Sequence, residues 1–221
     1  MEIWLDSADT HFIKNCHYKT MLDGVTTNPS ILSQSHDTPM QTIEQILHLQ
    51  QKELCVQVTA KSTDKIIDQA RKLHNISARI IVKIPVTQAG IVAMQQLIKE
   101  EIKVLATAVV SAKQAMLACK LNVDYIAPYY HHIKNNNPSW QQEIDLICKM
   151  NTMIPCRSKI MLASLKTLDD VNHAIALQAQ AITIVPELMD QLFEAPELTQ
   201  KAIEKFDHDW ATVKDDLLAL A

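Results

Sequence analysis

A lysine lies in the middle of an apolar run. Lys83 separates two aliphatic triplets in the stretch RIIVKIPVT, residues 79–87. An ammonium group enclosed by aliphatic side chains loses its hydration, and desolvation disfavours the charged form of an amine. An enclosed lysine therefore offers the neutral amine that attacks a ketone and forms a Schiff base. A side chain that reaches bulk water is the plainer alternative.

Hydrogen-bonding or ionisable residues also follow the apolar runs elsewhere in the chain. They are Asp6, Thr26, Asn28, Gln57, Thr107, Tyr129 and Ser164. Each of them alone is typical of a cap or a turn. If the runs are strands whose ends converge on one rim, these side chains instead predict a polar site around Lys83.

The elements that must position these residues alternate between short β-branched runs and longer helical patterns. The eight strand candidates span residues 2–6, 24–28, 54–58, 79–85, 103–109, 125–130, 159–164 and 181–186. Helix starts are predicted at Thr38-Pro39, at Ser111 with Gln114, and at Thr167 with Asp170.

Strands that are joined by helices run parallel, with right-handed crossovers that cover the sheet. The pattern therefore predicts an α/β protein, a single (β/α)8 TIM barrel domain over residues 1–221, with its chemistry at the C-terminal ends of the strands. Residues 196–221 are predicted to form a C-terminal helical extension, which packs either on its own barrel or on a neighbouring subunit.

Charge and hydropathy limit the partners. The net charge is -4 with a pI of about 6.1, and no dense Lys/Arg block is present, so we expect no nucleic-acid binding. No apolar run approaches the ~20 residues of a membrane span, and the N-terminus lacks a targeting pattern. These features predict a cytoplasmic protein that acts on small molecules and does not associate with membranes.

Cysteine, histidine and glycine usage limits the chemistry further. The five cysteines form no C-x-x-C pair and are expected to be reduced thiols, and the nine histidines form no H-x-x-x-H pair, so no metal site is predicted. Only two glycines occur, where usual composition gives roughly fifteen. A glycine-rich phosphate cradle is excluded, and a phosphate must be held by side chains or helix N-termini.

Several stretches together resemble the small transaldolase family, most closely its fructose-6-phosphate aldolase branch. They are DGVTTNPSIL (23–32), VKIPVTQAG (82–90), ATAV (106–109), YIAPYY (125–130), LASLKT (162–167) and FDHDW (206–210). The resemblance covers nearly the whole chain. It implies a (β/α)8 barrel that forms Schiff bases without a metal or an organic cofactor. It also implies a homo-oligomer, a pentamer or a decamer of two stacked pentamers, with the C-terminal helix on a neighbour.

The resemblance also assigns residue roles. Lys83 matches the Schiff-base lysine, Asp6 the aspartate of the first strand, and Thr26 and Asn28 the residues that line the sugar hydroxyls. True transaldolases carry a glutamate and usually a phenylalanine at two further positions. This sequence has Gln57 and Tyr129 there, which is the aldolase pattern. A phenol can act as acid or base where a glutamine cannot, and Thr107 would help to hold the relay water.

Two positions depart from the family pattern. His132 stands where the family has an arginine that grips the substrate phosphate, which leaves Ser164 and Lys166 as the other phosphate partners, and Ala106 stands where glycine is usual. The sequence predicts a Schiff-base aldolase that cleaves fructose 6-phosphate-type ketoses into dihydroxyacetone and an aldehyde such as glyceraldehyde 3-phosphate. The alternatives are a transaldolase and a non-catalytic sugar-phosphate-binding relative.

Overall fold

Eight parallel strands close into a barrel in sequence order in the computed structural model, which describes residues 1–211. The strands are β1 (Glu2–Asp6), β2 (Gly24–Thr26), β3 (Glu53–Gln57), β4 (Ile80–Pro85), β5 (Val104–Val109), β6 (Tyr125–Pro128), β7 (Lys159–Leu162) and β8 (Ala181–Ile184). Parallel pairing of β1 with β8 closes the barrel. The predicted (β/α)8 architecture is confirmed.

Helices connect the strands and cover the outside of the barrel. They are α1 (Thr10–Asn15), α2 (Pro29–Leu32), α3 (Pro39–Leu49), α4 (Thr63–Ile76), α5 (Gln88–Lys99), α6 (Ala112–Leu121), α7 (Tyr130–Asn136), α8 (Trp140–Cys148), α9 (Met150–Met153), α10 (Leu168–Ala176), α11 (Pro186–Phe193) and α12 (Glu197–Trp210), with a 3-10 turn at Lys19–Met21. Their apolar faces and the outer faces of the strands form the main hydrophobic core.

Three strands end earlier than predicted, because a helix begins at the residues that were assigned to each strand end. Asn28 caps α2, Tyr130 begins α7 and Pro186 begins α11, so β2, β6 and β8 stop two residues before their predicted ends. The capping prediction at Thr38 is confirmed, because its hydroxyl and Gln41 form a complete capping box.

The other two predicted helix starts differ in how they are capped. The helix start at Ser111 is confirmed, since α6 begins at Ala112 with Ser111 as its N-cap residue. The predicted capping box is wrong, because the Ser111 hydroxyl caps no backbone N–H and instead donates to Gln114 Oε1 at 3.1 Å. Gln114 Oε1 also accepts the N–H of Val110, and its amide group donates to the carbonyl of Val86. The start at Thr167 is confirmed, because its Oγ1 accepts the N–H of Asp170 at 3.2 Å.

The inside of the barrel is divided into an apolar layer and a polar layer. The apolar layer is formed by Trp4, Cys55, Ile81, Leu105, Tyr125, Ala127, Met161 and Ala181. Alternate residues of a strand face the same side, so the residues two positions later share this inner face. They are Asp6, Gln57, Lys83, Thr107, Tyr129, Ala163 and Thr183. All but Ala163 are polar, and they lie nearer the C-terminal ends of the strands.

The N-terminal mouth of the barrel is closed by polar contacts around Glu2. Trp4 Nε1 and Tyr125 OH donate to its carboxylate at 3.1 and 2.9 Å, and Lys159 forms an ion pair with it. Burial alone would raise the pKa of Glu2, but these three partners hold it below its ordinary value. Gly24 gives the Trp4 ring its space, because an added Cβ would lie 2.4 Å from Cζ3 of that ring.

The chain after β8 is helical, as predicted, up to the last described residues. None of the residues of α12 is buried, and Leu198 and Phe206 are 80% and 63% exposed. The last ten residues of the predicted extension, 212–221, lie outside the described residues. Within residues 1–211, no helix combines the length and the apolar character that crossing a membrane requires.

Candidate active site

Lys83 lies on the inner face of β4 and is enclosed. The residue is 6% exposed, and its Nζ donates to the carbonyl oxygen of Thr27 at 2.8 Å. No carboxylate forms an ion pair with this amine within the part of the chain that the structure describes. A neutral amine still carries N–H donors, so it can keep the contact with the carbonyl after losing a proton. The enclosure expected from the sequence is therefore present, and the amine is held by a dipole rather than by a counter-ion.

Three residues beside Lys83 form a directed hydrogen-bond chain. Thr26 Oγ1 donates to Asp6 Oδ1 at 2.6 Å and lies 2.6 Å from Thr183 Oγ1. A hydroxyl group has one proton to donate, and Thr26 gives that proton to the carboxylate. Thr183 must therefore be the donor to Thr26, so the chain runs from Thr183 through Thr26 to Asp6. Strand pairing places Asp6 opposite Thr26, which is why these side chains meet.

The predicted acid-base residues are brought to the same layer but only partly joined. Thr107 Oγ1 lies 3.2 Å from Tyr129 OH, whereas Gln57 Oε1 is buried and has no hydrogen-bond partner among the described residues. Gln57 lies opposite Lys83 in the pairing of β3 with β4. A buried unpaired oxygen costs free energy, so this site would be completed by a hydroxyl group or a water molecule that donates to Gln57.

The backbone at the end of β5 is irregular where it presents Thr107. The register with β6 shifts between Ala106 and Val109, and Ala108 has a φ of 55°. A bulge of this kind re-aims the neighbouring side chain, and a left-handed alanine costs roughly 1 kcal/mol. Ser164, just beyond β7, has a φ of 64°. With only two glycines in the chain, other residue types take these strained positions.

The residues predicted to hold hydroxyls and phosphate are less tightly placed. Asn28 Oδ1 accepts the N–H of Ile31 at 2.9 Å as the cap of α2, which leaves its amide nitrogen for a ligand. Ser164 is half-buried, whereas His132 and Lys166 are exposed. The ring of His132 lies 5.3 Å from that of Tyr129. No hydrogen bond joins the three predicted phosphate partners to one another within residues 1–211.

Asp170 connects the helix and the loop that carry these two exposed residues. It is 1% exposed, and it accepts Lys134 Nζ at 2.8 Å and the backbone N–H of Lys166 at 3.0 Å. Burial would raise the pKa of Asp170, but the contacts with Lys134 and with the backbone keep it below its ordinary value. The carboxylate thereby ties α7, which bears His132, to the loop before α10.

A cavity of about 630 Å³ opens beside Asp6. Loops after β1, α2 and β8 line it, and its charged or titratable residues include Asp9, His11, Asp37 and Glu187. Asp6 is the only residue of the predicted site in this lining, and Lys83 does not reach it. Within residues 1–211, no group of three or more His, Cys, Asp or Glu residues is arranged to hold a metal ion.

Sequence reasoning missed Thr183 in the polar layer and the backbone carbonyl that holds Lys83. Thr183 completes the chain to Asp6, and the carbonyl of Thr27 holds the lysine amine. The signal for Thr183 was present, because it follows Ala181 by two residues on an apolar strand, as Lys83 follows Ile81. The carbonyl of Thr27 has no sequence signal, since every residue carries one.

The fold and the site together define a class. Enzymes with a (β/α)8 barrel carry their chemistry at the C-terminal ends of the strands, where this barrel holds an enclosed lysine and a ring of polar groups. Comparison with known proteins then gives the family. The family model for transaldolase/fructose-6-phosphate aldolase matches residues 3–219, so the chain belongs to this family.

Similar proteins from several organisms carry one name. A probable transaldolase of Caulobacter vibrioides is 31% identical over 99% of this chain and all of the relative. Probable transaldolases of Phenylobacterium zucineum and Nitrosopumilus maritimus are 28% and 29% identical, over 99% and 97% of this chain and 100% and 96% of those proteins. The protein is therefore a Schiff-base enzyme of the aldolase/transaldolase type.

Proposed function

We propose that this protein cleaves and forms fructose 6-phosphate-type ketoses through a Schiff base on Lys83. The observation that carries the proposal is an enclosed lysine amine, 6% exposed, in a ring of polar side chains. The neutral amine attacks the C2 ketone, and loss of water gives an iminium ion. The iminium withdraws electrons from the neighbouring carbons and so prepares the bond between C3 and C4 for cleavage.

Cleavage requires a base for the C4 hydroxyl proton. Tyr129, as its phenolate, takes this proton through a water molecule whose other proton is donated to the unpaired oxygen of Gln57, and Thr107 Oγ1, 3.2 Å away, donates to the phenolate oxygen. The electrons of the C3–C4 bond pass to the iminium and form an enamine, and the aldehyde, such as glyceraldehyde 3-phosphate, departs. Protonation and hydrolysis of the enamine release dihydroxyacetone and regenerate Lys83.

The remaining polar residues orient the substrate. Asp6, fixed by Thr26, and the amide nitrogen of Asn28 hold the sugar hydroxyls next to the reacting carbons. Ser164, Lys166 and His132 bind the phosphate at the opposite side of the rim. An imidazole cannot make the two-pronged contact with a phosphate that a guanidinium makes.

Transfer is the second candidate function. If the enamine attacks a second aldehyde before it is protonated, the enzyme transfers a dihydroxyacetone unit and acts as a transaldolase. The names of the similar proteins favour this candidate. Gln57 and Tyr129 favour the aldolase, since an amide replaces the carboxylate that the transfer enzymes use and a phenol replaces their phenylalanine ring.

The decisive experiment is borohydride trapping, with fructose 6-phosphate and dihydroxyacetone used separately. Reduction should fix the adduct on Lys83 and prevent tryptic cleavage there, so that mapping yields one modified peptide of residues 80–99. Lys83→Met should give no adduct and keep the native melting temperature, whereas Lys61→Met, at an exposed loop lysine, should label normally. An adduct on another lysine, or undiminished turnover in Lys83→Met, would refute the assignment.

We also propose that the protein forms a homo-oligomer in which α12 packs on a neighbouring subunit. The exposed Leu198, Ile203 and Phe206 support this proposal, since none of the residues of α12 is buried within its own chain. Light scattering should give the mass of a pentamer or decamer, and Leu198→Lys with Phe206→Lys should reduce it. A wild-type monomer would refute the proposal. The cytoplasmic location stays a prediction.

A further inference from the structure

Two cysteines that are distant in sequence have their sulfur atoms in contact. Cys119 Sγ and Cys156 Sγ are 3.0 Å apart, although the residues are separated by 37 positions. Cys119 lies in the last turn of α6 and is 1% exposed, whereas Cys156 precedes β7 and is partly exposed. The separation is far longer than the roughly 2.05 Å of a disulfide bond, so both are free thiols.

Two hydrogen bonds between Asn122 and Arg157 hold the backbone beside the two thiols in place. Asn122, which ends α6 in a left-handed conformation, accepts the N–H of Arg157 at 3.0 Å through its side chain. Its carbonyl also accepts Arg157 Nε at 3.3 Å. These contacts anchor the residue after Cys156 to the end of the helix that carries Cys119, so the sulfur contact is built into the packing of this corner.

We propose that Cys119 and Cys156 form a site of reversible disulfide formation by exchange with small disulfides such as oxidised glutathione. The thiolate of the partly exposed Cys156 attacks one glutathione sulfur, and the other glutathione leaves as a thiolate. Cys119 then loses its proton to solvent and attacks Cys156 Sγ, which releases the second glutathione. Two protein thiols are oxidised, and one small disulfide is reduced to two thiols.

The environments of the two thiols set the order of these steps. Burial, followed by the contact with Cys156, raises the pKa of the Cys119 thiol to about 12, so Cys119 is the poor first nucleophile. It needs no external encounter in the second step, because its sulfur already lies against the one it attacks, and such proximity strongly accelerates a reaction.

The pair lies away from the proposed active site. The last turn of α6 and the segment before β7 are at the N-terminal end of the barrel, whereas Lys83 and the polar layer lie toward the C-terminal strand ends. The new bond would therefore close a loop of the chain without touching the polar layer. We expect greater stability with unchanged turnover, so the inference is independent of the proposed function.

The test is incubation of the full-length protein with oxidised glutathione, followed by non-reducing tryptic mapping. The expected product is one peptide of residues 114–120 linked to residues 150–157. Cys16, which is also partly exposed but has no sulfur contact among the described residues, is an internal control and should keep its glutathione. The buried Cys148 should stay a thiol.

Variants separate the two steps. In Cys119→Ser, Cys156 should keep one glutathione, and the oxidised wild type should melt roughly 5–10 °C above the oxidised variant. A wild type in which Cys156 keeps its glutathione, or in which only Cys16 reacts, would overturn the inference. A disulfide from Cys119 to any other cysteine would overturn it as well.

Discussion

The hydrogen-bond chain from Thr183 to Asp6 gives a sharp prediction for Thr183→Val. Valine keeps the shape of threonine, so the change removes one hydroxyl and leaves Thr26 Oγ1 without a donor. Thr26 is 0% exposed and Thr183 3%, so no water replaces the lost contact without repacking. Thr26 keeps its hydrogen bond to Asp6, so the cost is that of one hydrogen bond, about 0.5–1.5 kcal/mol. We expect the free energy of unfolding to fall by that amount in denaturant titrations.

The effect on turnover follows from the direction of these hydrogen bonds, which run from Thr183 through Thr26 to Asp6. Without its donor, Thr26 is a weaker donor to Asp6, and the carboxylate is less well fixed against the sugar hydroxyls. A loss of about 1 kcal/mol in the transition state lowers kcat roughly fivefold. Adduct formation on Lys83 should be unchanged in borohydride trapping, because its Nζ is hydrogen-bonded to the carbonyl of Thr27 and not to any member of this hydrogen-bond chain.

Two comparisons can refute the reasoning. Thr183→Ser keeps the hydroxyl, so its kcat should return to within about twofold of the wild type. If serine is as harmful as valine, packing of the methyl group and not the hydrogen bond is responsible. In a double-mutant cycle, Thr183→Val should lower kcat only slightly when Asp6→Asn is already present. Additive losses would show that Thr183 does not act through Asp6.

The other predictions concern specificity and acid stability. Gln57→Glu combined with Tyr129→Phe should raise the ratio of transfer to cleavage, measured with an added aldehyde acceptor; an unchanged ratio would count against the aldolase assignment. His132→Arg should lower the KM for fructose 6-phosphate roughly tenfold and leave that for unphosphorylated fructose unchanged, since a guanidinium contacts phosphate with two donors. The folded-state pKa of Asp170 lies below its ordinary 3.8, so its stabilising contribution is present above about pH 4 and is lost as the pH falls further. Asp170→Asn should cost about 2 kcal/mol of unfolding free energy at pH 7, because it removes the counter-charge of Lys134, and should flatten the stability profile below pH 4; an equally steep profile would contradict this role.

The barrel and its inner face could be predicted because a strand repeats every two residues. The spacing from Ile81 to Lys83 and from Leu105 to Thr107 carries the information that these polar side chains face inward. The same rule places Thr183, two residues after Ala181, on this inner face. The role of Lys83 as a nucleophile follows from its apolar surroundings, whereas the roles of Gln57 and Tyr129 came from family resemblance.

What could not be predicted depends on contacts between distant segments. The capping box predicted at Ser111 does not form because the side chain of Gln114 is held by Val86, which comes from another strand end. The contact between Cys119 and Cys156 spans 37 positions and follows no motif. The cavity beside Asp6 is lined by loops, and loop conformations depend on packing that no periodic pattern encodes.

The apolar layer has a kinetic consequence. Trp4, Tyr125 and their neighbours fill the barrel below Lys83, and the contacts of Glu2 close its N-terminal mouth. The proposed active site can therefore be reached only from the C-terminal end of the barrel. On the proposed chemistry, the first aldehyde must leave before a second aldehyde can take its place. A three-carbon fragment that is covalently bound stays behind during this exchange. The enamine is then either protonated and hydrolysed or transferred to a new aldehyde. The ratio of the two products depends on how fast an acceptor aldehyde enters through this opening.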